Sequence, residues 1–244
     1  GAHPGDVIWS LGYLKSLGES VVMQLNVMNN QHVFDMSMYN NVSAIIDKQP
    51  YINKVERYVD GSEVDINLDT CNRQALDICL YDAYHNISKR VSNHDDQWLC
   101  DGVKVSLNDR DKIIYRNTRY QNSNFDWSYY IKNNINISEC CFVGAKHEYI
   151  SFLIKSKIKP RQLPWLRTAS MCELYDVIYS CSHFYGNGGL PAVIAHGLQK
   201  PMTFENAVPR GRFQKNNHNI MIRDDAEYYL SYNKDNISKV LMKT

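Results

Sequence analysis

The stretch from His183 to Glu205 constrains the fold more than any other part of the chain. A short apolar run leads into a Gly-rich turn, and a helix of small residues follows over 190–198. Lys200 and Pro201 then end the helix before a second apolar run. This succession of strand, turn, helix and strand is typical of a parallel α/β sheet, in which ligands bind beyond the carboxyl ends of the strands.

The turn inside this stretch is a possible anion site. Gly186, Gly188 and Gly189 lack the Cβ atoms that would keep a ligand away from the backbone. Together with Asn187 they precede a helix start, whose free N–H groups favour an anion such as a diphosphate. A tight turn without a ligand has the same composition, and the spacing leaves both interpretations open.

Strand-like and helix-like segments alternate along the rest of the chain, which predicts parallel sheets. The polar, charged segment 106–111 marks a boundary, so we predict two Rossmann-like domains, residues 1–106 and 107–244, with a cleft between them. An α/β domain normally begins with a strand, and we expect one to precede the loop at 1–5. The other predicted elements include helices over 6–17, 74–90 and 223–241, and strands over 21–27, 55–59 and 112–116.

Composition excludes several classes of protein. The net charge of +1 gives no global field that would attract nucleic acid or a membrane surface. No apolar run approaches the ~20 residues needed to span a bilayer. The seven cysteines are scattered and include no Cys-x-x-Cys pair. Free thiols in a reducing cytoplasm are therefore expected.

Asp6 is the first residue that can carry chemistry. A carboxylate at a helix N-terminus beside a cleft can act as a general base on a hydroxyl, although it can equally cap the helix. The run His3-Pro4-Gly5-Asp6 also resembles the metal-binding motif of zinc-dependent N-acetylglucosaminyl deacetylases, with His3 and Asp6 as ligands. Gly5 stands where that family has its base, and no clear third ligand follows, whereas zinc requires three.

Other polar residues follow predicted strands and should lie at the same edge of the sheet. Arg116 and Arg119 can hold phosphate oxygens in a bidentate way, or form a solvated basic loop. Glu148, in the turn that begins at Gly144, can accept from a ribose or stabilise a helix start. Glu205 ends a strand, and either a ribose or a neighbouring arginine would explain a buried acid there.

Two segments resemble the ADP-heptose:lipopolysaccharide heptosyltransferase family and its GT-B relatives. Gly5-Asp6-Val7-Ile8-Trp9-Ser10-Leu11-Gly12-Tyr13-Leu14 is similar to that family's first loop and helix, and 171–201 is similar to its nucleotide-sugar segment. Between them, the turn with Gly144 and Glu148 resembles a Gly-Gly-x-x-Glu turn. The phosphate-facing histidine of the family is absent here, and Asn187 replaces the usual aspartate.

The resemblance implies that Asp6 deprotonates the acceptor hydroxyl and that Arg116 and the 187–189 turn steady the donor diphosphate. His3 and Gly5 would lie on the acceptor side. The implied activity is an inverting, metal-independent transfer from a nucleotide sugar to a glycan or other hydroxyl acceptor, without a cofactor. A sugar-nucleotide epimerase and a non-catalytic nucleotide-sugar binder share the architecture and remain alternatives. The Asn-rich composition is expected of a divergent, phage-encoded member.

Overall fold

A computed structural model describes residues 3–27, 35–68, 80–87, 89, 91, 93–206, 223 and 225–239. The chain is α/β, and neighbouring strands are mostly parallel. Cys71 and Cys79, and the ends of the helix predicted over 74–90, lie outside the described residues.

The first half of the chain forms a small parallel sheet covered by helices. Helix α1 (Pro4–Ser16) leads to strand β1 (Val21–Leu25), helix α2 (Met36–Ile46) and strand β2 (Ile52–Arg57). Strands β1 and β2 pair in parallel. Helix α3 (Leu80–Ile87) then packs against α1.

The second half contains a six-stranded sheet within the described residues, in the order β4-β3-β5-β6-β7-β8. Its strands are β3 (Lys112–Ile114), β4 (Cys140–Phe142), β5 (His183–Gly186), β6 (Met202–Glu205), β7 (Glu227–Tyr232) and β8 (Ile237–Lys239). Its helices are α4 (Trp127–Asn134), a 3-10 turn (Ile137–Glu139), α5 (Lys146–Ser156), α6 (Met171–Ser180) and α7 (Leu190–Gly197). Only β8, among these strands, runs antiparallel to its neighbour.

Helix α7 is buried on all sides because its residues are apolar all round. Helices α1 and α6 and strand β5 contact it. The carbonyl of Gly197 accepts from the backbone N–H groups of Trp98 (3.0 Å) and Leu99 (2.9 Å). A Cβ at Gly197 would lie 2.6 Å from the Leu99 side chain, so glycine is required for this close approach.

The large sheet is covered on both faces. One hydrophobic cluster lies on the α4 and α5 side and includes Ile114, Trp127 and Phe142. The other cluster joins Leu11 of α1 to Ile194 of α7, so a continuous core crosses the boundary predicted at 106/107. The division into two domains stays a prediction.

Two sequence-based boundaries are corrected. Helix α1 begins at Pro4, inside the segment predicted as a loop, because proline suits the first helical position. The helix predicted over 223–241 is wrong: the described residues there form β7 and β8. The rings of Tyr228, Tyr229 and Tyr232 are buried against the sheet, and tyrosine favours such a half-buried pleated surface.

Two buried histidines make the stability of the fold depend on pH. Burial lowers the pKa of His196 well below 6.5, and the nearby Arg223 guanidinium lowers it further. Burial, with a smaller contribution from Lys112, lowers the pKa of His183 to about 4. Both rings therefore stay neutral in the folded chain at pH values where the unfolded chain binds protons.

We predict that the contribution of these two histidines to the free energy of unfolding is fully present above pH 6.5 and is lost as the pH drops from 6.5 towards 4. Each of these histidines can contribute a loss of up to about 1.4 kcal/mol per pH unit below 6.5, until the pH reaches its folded-state pKa. Urea unfolding at pH 7.5 and 5 measures this difference. His196→Leu should reduce it, and His147→Gln, which removes an exposed imidazole, should not. Equal acid sensitivity in all three proteins would contradict the prediction.

Candidate functional site

The candidate site lies where the winding of the large sheet reverses. From β3 the chain crosses to β4 on one side, and from β5 it continues to β6 on the other, while β3 and β5 are neighbours. A crevice forms outside the carboxyl ends of such a strand pair and is the usual ligand position in open α/β sheets. The residues that follow these two strands, 115–120 and 187–190, line this point.

Asn187 fastens the two sides of the crevice together. It is fully buried, and its Oδ1 accepts from the Asn117 N–H at 2.7 Å. Its Nδ2 donates to the carbonyls of Asn117 (3.0 Å) and Tyr120 (2.8 Å). The side-chain amide is thus used within the protein. The structure gives Asn187 a positioning role, not the phosphate contact implied by the resemblance.

The glycines of the turn make room for tyrosine rings. A Cβ at Gly188 would lie 3.3 Å from the Tyr120 ring, and one at Gly189 would lie 2.5 Å from the Tyr115 hydroxyl. Gly189 also has a φ of 142°, which residues with side chains rarely adopt. At Gly186 a Cβ would lie 2.7 Å from the Tyr115 carbonyl. The glycines were predicted to let a ligand approach the backbone closely. In this structure Tyr115 and Tyr120 occupy that space.

Helix α1 begins directly beside the start of α7. A Cβ built on Gly5 would lie 3.6 Å from Val193 and 3.9 Å from the Leu190 Cα. Asp6, the next residue, is half-buried in the first turn of α1, and its Oδ2 accepts from the His3 N–H at 3.1 Å. Asp6 therefore caps α1, as one sequence interpretation held. Because Gly5 lies against the start of α7, Asp6 is one residue away from the helix start that was predicted to attract an anion.

Arg116 and Glu205 form a buried ion pair. Arg116 Nε donates to Glu205 Oε2 at 2.7 Å, and Nη2 donates to Oε1 at 2.8 Å. The Asn122 N–H and the Trp127 indole N–H, both at 2.6 Å, also donate to this carboxylate. Glu205 is 0% exposed and Arg116 3% exposed, so this acid is explained by the neighbouring arginine and not by a ribose.

One hydrogen-bond donor of the Arg116 side chain has no partner in the part of the chain that the structure describes. Arg116 Nη1 is buried and has no hydrogen-bond partner among the described residues. The other two guanidinium nitrogens are committed to Glu205. The main interaction of Arg116 is therefore with the protein itself, and its contact with a donor diphosphate stays a prediction.

Arg119 and Tyr120 are the exposed part of the loop after β3. The Arg119 guanidinium carbon lies 5.7 Å from the centre of the Tyr120 ring, within the range of a cation–π contact. The Arg119 N–H donates to Asn117 Oδ1 at 2.7 Å, which fixes the backbone of the loop. The structure thus leaves Arg119 accessible to an anion, next to the ring that covers Gly188.

The turn at Gly144 is explained by helix capping. Glu148 Oε2 accepts from the Ala145 N–H at 2.8 Å and lies over Gly144, where a Cβ would be 2.8 Å away. Gly144 has a φ of 126°, which favours glycine. Burial raises the pKa of Glu148 despite this hydrogen bond. The first-turn carboxylate interpretation accounts for Glu148 without a ribose.

Several residues of the site were not identified from the sequence. Tyr115 is buried between the two turns, and its hydroxyl accepts from Asn117 Nδ2 at 3.0 Å. Asn122 and Trp127 complete the shell of Glu205. Tyr115 follows β3 directly, and this position at the end of a strand was the only feature of the sequence that could have indicated a place in the site. The partners of Glu205 lie about eighty residues away in sequence, and no local pattern points to them.

Within the described residues, no three His, Cys, Asp or Glu side chains lie close enough together to hold a metal ion. In particular, that part of the chain gives His3 and Asp6 no third zinc ligand. No helix in it is long and apolar enough to cross a membrane.

The strand order and the crevice define an α/β protein of the doubly wound class, and solved structures share its fold. Over 93% of its length the chain is similar to a glycosyl transferase family 9 protein from Veillonella parvula DSM 2008. The TM-score is 0.57 and the sequence identity 10%, and 83% of that chain is covered. It is also similar to E. coli ADP-heptose LPS heptosyltransferase II, with a TM-score of 0.50, 9% identity and coverage of 93% of this chain and 88% of that one.

No family model matches the sequence, and no curated protein matches it. At these identities the structural likenesses show the fold alone. They confirm the predicted α/β class with mostly parallel sheets.

The buried pair yields a prediction about stability. Replacing Arg116 by Met leaves the Glu205 carboxylate buried without its counter-charge, which should cost about 3–5 kcal/mol of unfolding free energy. Lys239→Met removes the exposed pair with Glu227 and should cost less than about 1 kcal/mol. Urea unfolding at pH 7.5 compares the two variants. Equal losses would show that the Arg116 pair contributes no more than a surface pair.

Proposed function

We propose that this chain is a glycosyltransferase that moves a sugar from a nucleotide-sugar donor to a hydroxyl acceptor. The observation that carries the proposal is the placement of Asp6 beside the first turn of α7, at the reversal point of the large sheet. A carboxylate and an anion-favouring helix start are the two groups that such a transfer needs close together. The fold shared with two glycosyltransferases supports the same conclusion.

In the proposed reaction, the donor diphosphate lies against the backbone of the turn at Gly188 and Gly189 and the start of α7. The free N–H groups there and the Arg119 guanidinium neutralise the charge that develops on the leaving diphosphate. Tyr120 lies over Gly188 in the present structure and would have to move aside for the diphosphate to reach that backbone.

Asp6 is the proposed base. Only one of its oxygens has a hydrogen-bond partner among the described residues, the His3 N–H. The other carboxylate oxygen is available to take the proton of the acceptor hydroxyl while the hydroxyl oxygen of the acceptor attacks the sugar carbon and the diphosphate leaves. Direct displacement by this route inverts the anomeric centre and uses no metal ion. Asn187, Arg116 and Glu205 enter the proposal as residues that position the two sides of the crevice.

Donor binding tests the proposal first. We predict that one of the ADP-, UDP-, GDP- and dTDP-sugars raises the thermal midpoint of the purified chain. A ligand present at ~100 times its Kd stabilises the folded state by about 2.7 kcal/mol. A folded sample that none of these ligands stabilises would contradict the proposal. Release of an epimer or of free sugar without an acceptor would favour the epimerase alternative instead.

A second prediction concerns Asp6. Asp6→Asn keeps an oxygen that can accept from the His3 N–H, so α1 stays capped, but it removes the base. Turnover of the donor in the presence of acceptor should fall by roughly 10²–10⁴-fold, while the donor-induced thermal shift is retained. Glu173→Gln is the matched control, because Glu173 occupies the same helical position in α6 and accepts from the Ala169 N–H.

Unchanged turnover in Asp6→Asn would rule out Asp6 as the base. Donor binding without turnover in the parent chain, tested with a panel of hydroxyl acceptors, would favour the non-catalytic binder.

A further inference from the structure

The outer surface of α5 and the loop after it concentrate positive charge. Six cationic side chains are exposed between residues 146 and 167: Lys146, Lys155, Lys157, Lys159, Arg161 and Arg167. The sequence between 140 and 172 contains a single acid, Glu148, which is buried and caps α5. The chain as a whole has a net charge of only +1, so this basic surface is a local feature.

Two isoleucines lie within the basic surface. Ile150 is 46% exposed and Ile154 72% exposed, and they are one helical turn apart. The opposite side of α5 already supplies the core, through Phe152 and the buried Ser156. Packing within the fold therefore does not require apolar residues at 150 and 154. His147, Ser151 and Lys155 line a shallow depression together with them.

An aromatic pair borders the same surface. The rings of Tyr149 and Trp165 are stacked, with centroids 6.0 Å apart and planes at 16°. Both are partly exposed, and the Trp165 indole N–H donates to the Gly144 carbonyl at 3.0 Å. Amphipathic rings of this kind are enriched at the level of lipid headgroups.

We propose that this surface docks the protein on an anionic lipid bilayer. Cations attract acidic headgroups, while exposed aliphatic side chains on the same helix face enter the boundary between headgroups and acyl chains. Nucleic acid is the less suitable partner, because bases bind by stacking on free aromatic faces. Here the rings of Tyr149 and Trp165 are stacked on each other, and the side chains that project among the cations are the aliphatic Ile150 and Ile154. The proposal is independent of the transferase activity.

Co-sedimentation of the full chain with vesicles tests the proposal. The chain should sediment with vesicles of phosphatidylcholine mixed with phosphatidylglycerol, but not with phosphatidylcholine alone, and binding should weaken as salt is raised. Lys155→Gln/Lys157→Gln/Lys159→Gln should lower the partition coefficient roughly 100-fold. Ile150→Ser/Ile154→Ser should lower it roughly tenfold without changing the net charge.

The matched control is Lys54→Gln/Lys132→Gln/Lys234→Gln, which removes the same charge from exposed positions elsewhere. Its binding should stay within about twofold of the parent chain, as a local site requires. An equal loss of vesicle binding in the two triple lysine variants would overturn the proposal. Equal binding to vesicles with and without phosphatidylglycerol, or no sedimentation with either, would also overturn it. Binding of a DNA or RNA duplex through Lys155, Lys157 and Lys159, with no binding to vesicles, would replace the membrane by nucleic acid.

Discussion

The ion pair between Arg116 and Glu205 is the constraint on which the crevice depends. The two residues follow or end strands that are not neighbours, so the pair spans β5 and joins the loop after β3 to the end of β6. A buried carboxylate is expensive unless donors surround it. Glu205 meets that requirement with contacts from Arg116, Asn122 and Trp127. Those contacts fix three points: Arg116 at the start of the loop after β3, Asn122 near its end, and Trp127, the first residue of α4.

The geometry of the turn follows from that fixed loop. Because the loop is fixed, the carbonyls of Asn117 and Tyr120 stay in place to accept from Asn187. The rings of Tyr115 and Tyr120 then fill the space above Gly189 and Gly188. Asn187 and most of the Arg116 guanidinium, which were predicted to bind a diphosphate directly, therefore hold the backbone of the loop and the turn in place. Arg119 remains exposed beside this backbone, and Asp6 stays half-buried in the first turn of α1.

The sequence was informative where the signal is local. The apolar residues of α1 recur at helical spacing, and the small-residue run of α7 is bounded by a Gly-rich turn and by Pro201. The likeness to solved structures confirms the α/β class. The predicted helix over 223–241 was wrong because the burial of Tyr228, Tyr229 and Tyr232 against the sheet and α4 decides the conformation. Asn187, Arg116 and Glu205 follow or end predicted strands, which places them at one edge of the sheet. Their partners could not be predicted, because those partners come from distant segments.

The position of the basic surface relates the two proposals in space. Helix α5 starts at the carboxyl end of β4, and β4 is the edge strand next to β3. The crevice between β3 and β5 is therefore only one to two strand spacings, roughly 5–10 Å, from the strand that leads into α5. Helix α5 covers the face of the large sheet opposite to the one that α1 and α7 cover. A bilayer on α5 would therefore lie across the sheet from Asp6, so membrane docking and the proposed proton transfer would use opposite faces of the protein.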